Sequence, residues 1–165
     1  MDQTVPTTEK TRDRLAEITL DTKSLGRSSA NVEHEREVAI FDILDGNAFC
    51  VDGMDAGPYK LHLAMVEDRL LLAITAAAND ETVEHSVSLT PLKRIVKDYF
   101  MICESYYEAV RTAPPARIQQ IDVSRRALHD EGSAVLREKL LPKIVVDDDT
   151  ARRLFTLVCS LHWKG

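Results

Sequence analysis

Apolar and polar residues alternate most clearly between Tyr59 and Leu89. Tyr59, Leu61, Leu63 and Met65 alternate with Lys60, His62 and Ala64. The segment from Val83 to Leu89 repeats the pattern with Glu84, Ser86 and Ser88 on the opposite side. Successive side chains of a strand point to opposite faces, so a period of two sets one row against a core and the other toward water. Between these segments, Glu67-Asp68 makes a tight connection to Leu70–Thr75, a continuously apolar run suited to a central strand. Together they predict an antiparallel meander with one face covered.

Around the meander the pattern is mostly helical. Arg14–Asp21 alternates in part and reads as a first strand, and Ser24–Asn31 reads as a Ser/Gly-rich loop. Asn31 is the expected cap of a helix through Leu44 whose apolar side carries Val38, Phe41 and Leu44, with Asp45-Gly46-Asn47 as its stop. A short strand, Ala48–Val51, and turns at Asp52-Gly53 and Ala56-Gly57-Pro58 follow. Thr90, as cap, and Pro91 start a long helix in which Leu92, Ile95, Val96, Tyr99, Ile102, Cys103, Tyr106 and Val110 share one face, expected to pack on the sheet. Pro114-Pro115 ends it. A second helix runs from about Ala116 to Asp130 with Gly132 breaking or capping it, and a short helix through Leu141 stops at Pro142. Lys143–Val146 is extended. Asp148 or Asp149 then caps a final helix with Ala151, Leu154, Phe155, Val158 and Leu161 as its stripe.

This order predicts an α+β fold: an antiparallel meander sheet packed against helices, with a helical C-terminal half. Residues 1–13 read as a flexible tail and 14–165 as a single domain. Regular βαβ alternation is missing, as are GxGxxG and GxxxxGK[ST], so a dinucleotide or P-loop site has neither scaffold nor motif.

Composition narrows the function classes. The chain has 165 residues, 44% of them hydrophobic and 29% charged, with a net charge of −6. A globular domain is expected, and the negative balance argues against nucleic acid and anionic membranes as partners. Cys50, Cys103 and Cys159 are far apart and odd in number, which predicts reduced, buried thiols in a cytoplasmic protein rather than a disulfide framework or zinc site. The N-terminus lacks the basic start and apolar run of a signal peptide, and the most apolar window, Leu70–Ala78, is too short to span a bilayer.

Candidate chemistry gathers in two stretches, Ser124–Gly132 and Asp147–Arg153. Arg125 and His129 are four apart on one helix face, with Asp122, Arg126 and Asp130 beside them as a charge ladder. The functional reading makes Arg125 an anion clamp and His129 a general acid/base, with Glu131 nearby and the helix C-terminus stabilising the imidazolium. The plainer and preferred reading is a solvated salt-bridge ladder ending in a histidine that satisfies the last carbonyls. Asp147-Asp148-Asp149 lacks the spaced ligands of a cation loop, so capping is expected and no metal or cofactor. Arg152 and Arg153 stand in the first turn of a helix, where cations are mildly unfavourable. An acidic partner, Asp148, Asp149 or one on the preceding helix, is the expected compensation, with an anionic ligand as the alternative. His34, His62, His85 and His162 are isolated, and neither HExxH nor GxSxG occurs.

The motifs Leu128-His129-Asp130-Glu131-Gly132-Ser133 and Asp149-Thr150-Ala151-Arg152-Arg153-Leu154-Phe155-Thr156-Leu157 are the most specific part of a likeness running from about Leu15 to Leu161. In them the chain resembles an uncharacterised bacterial protein family, UPF number two-six-two. The resemblance implies a bacterial, cytoplasmic, single-domain protein and brings no catalytic residue, because that family has no assigned activity. Its members often carry Asn at the position of Asp130, so no carboxylate is implied there.

The expected function is therefore a small cytoplasmic binding or regulatory module, with a protein partner or a small anionic ligand at Arg125, His129, Glu131, Arg152 and Arg153. The alternative is an enzyme acting on a small anionic substrate, with Arg125 and Arg153 orienting it and His129 moving a proton. A third reading is self-association through a sheet edge or an aromatic patch around Tyr106, Tyr107 and Trp163.

Overall fold

Two small sheets and four long helices share one contiguous core in the computed structural model, which describes residues 12–26, 28–54 and 57–162. The chain runs β1 (Leu15–Leu20), α1 (Thr22–Leu25), α2 (Ala30–Asp45), β2 (Phe49–Val51), β3 (Tyr59–Val66), β4 (Arg69–Ala76) and β5 (Thr82–Ser88). A 3-10 turn at Thr90–Leu92 leads into α3 (Lys93–Thr112), followed by α4 (Pro115–Leu140), β6 (Ile144–Val146) and α5 (Asp148–His162). The main sheet has the order β1-β3-β4-β5, and β3, β4 and β5 form the expected antiparallel meander. β1 joins β3 in parallel, which requires the intervening α1, α2 and β2 to cross over. β2 and β6 form a separate antiparallel ribbon. The fold is α+β with a helical C-terminal half.

The period of two gives the sheet its inner face. Tyr59, Leu61 and Leu63 of β3 are buried beside Leu70, Leu72, Ile74 and Ala76 of β4 and Val87 of β5. Leu71 and Ala73, on the other face, keep partial contact with solvent, so β4 is central but covered on one side only. On the other edge, the Asn47 side chain accepts from Leu15 N (2.7 Å) and donates to Leu15 O (3.1 Å), standing in for a neighbouring strand beside β1.

Several boundaries differ from expectation for identifiable reasons. Part of the expected Ser24–Asn31 loop is helical: Asp21 accepts from Ser24 N (3.3 Å) and starts α1. α2 is capped by the Ser29 hydroxyl, which accepts from Val32 N at 3.3 Å, and not by Asn31. Its inward face is Val32, Arg36, Ala39 and Ile43, whereas Val38 and Phe41 are exposed. Arg36 can lie inward because polar partners meet it: its Nε donates to the Ser160 carbonyl at 3.1 Å and its Nη1 pairs with the Glu33 carboxylate at 3.3 Å. Thr90-Pro91 falls in the 3-10 turn with no side-chain cap, and α3 begins at Lys93. α3 packs chiefly on α4 rather than on the sheet, and Val110 is exposed.

The largest correction concerns α4, one unbroken helix where a break was expected at Gly132. A Cβ at Gly132 would lie 2.2 Å from Phe155 Cζ, so the glycine permits close approach of α5 rather than ending a helix. α5 is capped by Asp147, whose Oδ1 accepts from Thr150 N at 2.9 Å; Asp148 turns away to pair with Arg137 at 2.5 Å. Its predicted stripe, Ala151, Leu154, Phe155, Val158 and Leu161, is buried as expected, and so are Leu157, Cys159 and Ser160. α5 is therefore sunk in the core between α2 and α4.

Residues 1–11 of the expected tail lie outside the described residues, as do Ala56 of an expected turn and Trp163 of the expected aromatic patch. Asp13, at the end of that stretch, accepts from Phe49 N at 2.9 Å. Among the described residues no helix is long and apolar enough to cross a membrane.

Candidate functional site

α4 and α5 run antiparallel, and side-chain links mark their shared rim. Arg137 meets Asp148, Asp130 meets Arg152, and His129 meets Thr156, so ascending numbers on α4 match descending ones near the start of α5. Beyond the Asp130–Arg152 pair a cleft of about 400 Å³ opens on this rim. Arg125, Arg126 and His129 line it from α4, Arg152, Arg153 and Thr156 from α5, and Tyr99 from α3.

The arginines are held by different means. Arg125 donates to Asp122 through Nη2 (2.5 Å) and Nε (3.2 Å), and its guanidinium lies 4.2 Å over the Tyr106 ring. Arg126 shares that carboxylate at 2.5 Å, and these bonds hold Asp122 below the usual carboxylate range. Arg152 pairs with Asp130, the partner on the preceding helix that its unfavourable dipole position called for. Arg153 donates to the Gly46 carbonyl at the end of α2, and among the described residues it has no carboxylate partner.

His129 sits at the cleft base. Its Nε2 is 2.7 Å from Thr156 Oγ1, and that hydroxyl is also 3.1 Å from Arg152 O. The carbonyl accepts only, so Thr156 donates to it and receives the Nε2–H. The ring stands edge-on to Tyr99 and Phe155, with centroids 5.4 and 5.1 Å away. Burial first, then the Arg152 and Arg125 charges, pushes its pKa down to about 4. His129 is therefore neutral at neutral pH. The imidazolium expected at a helix C-terminus does not arise, because α4 continues to Leu140.

The remaining candidates go elsewhere. Glu131 faces Arg94 of α3 at 3.5 Å and does not line the cleft. His162 meets its own helix at Val158 O (2.9 Å), and His62 meets Thr19 (2.6 Å). Burial pushes the Cys103 and Cys159 thiols up, away from a reactive thiolate. Among the described residues no group of three or more His, Cys, Asp or Glu side chains is placed to hold a metal ion. Sequence reasoning missed Tyr99 and Thr156 as lining residues. Thr156 lies four after Arg152, a spacing that places both on one face, while Tyr99 was absorbed into the expected core stripe.

The model of an uncharacterised protein family, UPF0262, matches residues 12–164. A UPF0262 protein of Azorhizobium caulinodans is 55% identical over 154 residues, covering 92% of this chain and 95% of the relative. One from Brucella anthropi is 56% identical over 153 residues (92% and 95%), and one from Nitrobacter winogradskyi is 50% identical over 165 residues (100% and 99%). No solved structure matches. With a fold in which both family-like motifs face each other across α4 and α5, and with likeness along nearly its whole length, this chain belongs to the uncharacterised protein family UPF0262.

Proposed function

We propose that the protein is a small cytoplasmic binding or regulatory module whose α4–α5 cleft holds a small anionic ligand. The observation that carries this is the charge balance of the cleft. Four guanidinium groups line it, and among the described residues only two carboxylates, Asp122 and Asp130, pair with them. Each guanidinium has five N–H donors in a fixed fork, and the internal bonds use only part of each set.

Binding accounts for these residues better than proton-transfer chemistry. A general base needs a free lone pair facing the cleft, whereas His129 directs its Nε2–H at Thr156, and a pKa near 4 makes it a weak base. Glu131, the other candidate acid/base, is engaged by Arg94.

Titration calorimetry with inorganic phosphate tests the reading. Saturable binding should weaken about tenfold in Arg153→Ala, the loss expected for one charge-assisted contact. Arg126→Ala, at a largely exposed position, should weaken it less while leaving the melting temperature unchanged. Wild-type affinity in both variants would refute the assignment.

A further inference from the structure

The arginine cleft has a neighbour. Beside the Asp130–Arg152 pair, the same α4–α5 junction holds a second cleft of about 460 Å³, with Ala134, Leu141 and Ala151 as apolar lining and Asp130, Arg137, Glu138, Asp148 and Arg152 as charged lining. Arg152 borders both compartments. In the second, Arg137 pairs with Asp148, and Glu138 has no cationic partner among the described residues. With the Asp130–Arg152 pair shared between the compartments and neutral, the first carries a surplus of two positive charges, its other three arginines being met among the described residues by the Asp122 carboxylate alone. The second carries a surplus of one negative charge, on Glu138.

Resting on the anion-binding reading above, we propose that the two compartments form one bipartite site for a small phosphomonoester whose organic body carries an amine. A phosphomonoester at neutral pH is close to a dianion and presents three acceptor oxygens, which suits donors arriving from two helices. A carboxylate supplies half that charge, and a phosphodiester is a monoanion that continues in both directions. The apolar lining takes the carbon frame of the body and Glu138 faces its ammonium group. Phosphate on the acidic side, or a second acidic group on the body, meets Glu138 and Asp148 at like charge.

Three sugar phosphates of similar size isolate the claim: glucosamine 6-phosphate, glucose 6-phosphate and 6-phosphogluconate, with inorganic phosphate as the common reference, all titrated into the full chain by calorimetry. Affinity should fall in that order, with about tenfold between the amine and the carboxylate, as expected for gaining one exposed ion pair and relieving one repulsion. Glu138→Gln, at an exposed position, should compress the series toward a single value while leaving phosphate affinity and melting temperature unchanged. Equal affinities across the series, or preference for 6-phosphogluconate, with phosphate still lost on Arg153→Ala, would overturn the bipartite site and leave the arginine cleft standing. Absence of binding by all four probes would overturn the anion-binding reading itself.

Discussion

His129 is a half-buried imidazole set between two guanidinium charges, and this has a consequence for stability. In the unfolded chain it accepts a proton near pH 6.5; in the folded protein it does so only near pH 4. Its contribution is therefore complete above the unfolded value and is lost as pH falls from about 6.5 toward 4, because the unfolded state takes up the proton first. The loss attributable to His129 between pH 7 and pH 5 should be about 2 kcal/mol. Urea unfolding at the two pH values measures it, and His129→Gln should remove that share of the slope. A His129 ring resonance that titrates near pH 6.5 would contradict the account. At this scale the sequence was partly informative. Arg125 and His129, four apart, do share a face. Glu131, two beyond His129, is carried about 200° around the helix and could not reach the same cleft. What the spacing could not reveal was Thr156 as the receiver of the imidazole proton, because it arrives from another helix.

Among the elements, α4 depends on the absence of one side chain. Glycine in a helix interior costs about 1 kcal/mol relative to alanine, so Gly132→Ala would stabilise an isolated helix. Here the added methyl meets the Phe155 ring at 2.2 Å, and the variant should instead lose about 2 kcal/mol in chemical denaturation as the helices are forced apart. A variant more stable than the wild type would show that α5 yields at no cost. The glycine was misread as a breaker because its reason lies in the partner helix. Glycine as stop and glycine as contact point look alike in a local window. The meander, by contrast, was legible, since a period of two and short turns are local properties. α2 fell between these cases. The side carrying Val38, Phe41 and Leu44 was expected inward, whereas the buried face is Val32, Arg36, Ala39 and Ile43, where Ser160 O gives Arg36 a partner.

At the scale of the whole molecule, Arg36 ties three parts of the chain together. It reaches from α2 to the last turn of α5 at Ser160 O and to the end of α1 at Gly26 O (3.5 Å). Arg36→Ala would leave a buried carbonyl unsatisfied and a void beside it, and should cost about 2–3 kcal/mol in thermal or chemical unfolding. Unchanged stability would mean that water replaces the guanidinium freely. The molecule is acidic overall, and its surplus of positive charge in the arginine cleft is local. That contrast arises from the meeting of two helices distant in sequence, so the net charge gave no sign of the cleft. The parallel β1–β3 pairing was hidden for a similar reason, because a crossover leaves no local trace.

The central place of α5 also bears on how the protein is made. This helix follows the elements it packs on in chain order, so Gly132, Arg36 and the inner rows of α2 and α4 all await it during synthesis. A nascent chain that has released everything through Val146 still presents an open apolar trough, and closure comes only when α5 has been added. Until α5 emerges, that trough exposes the chain to chaperone capture or aggregation.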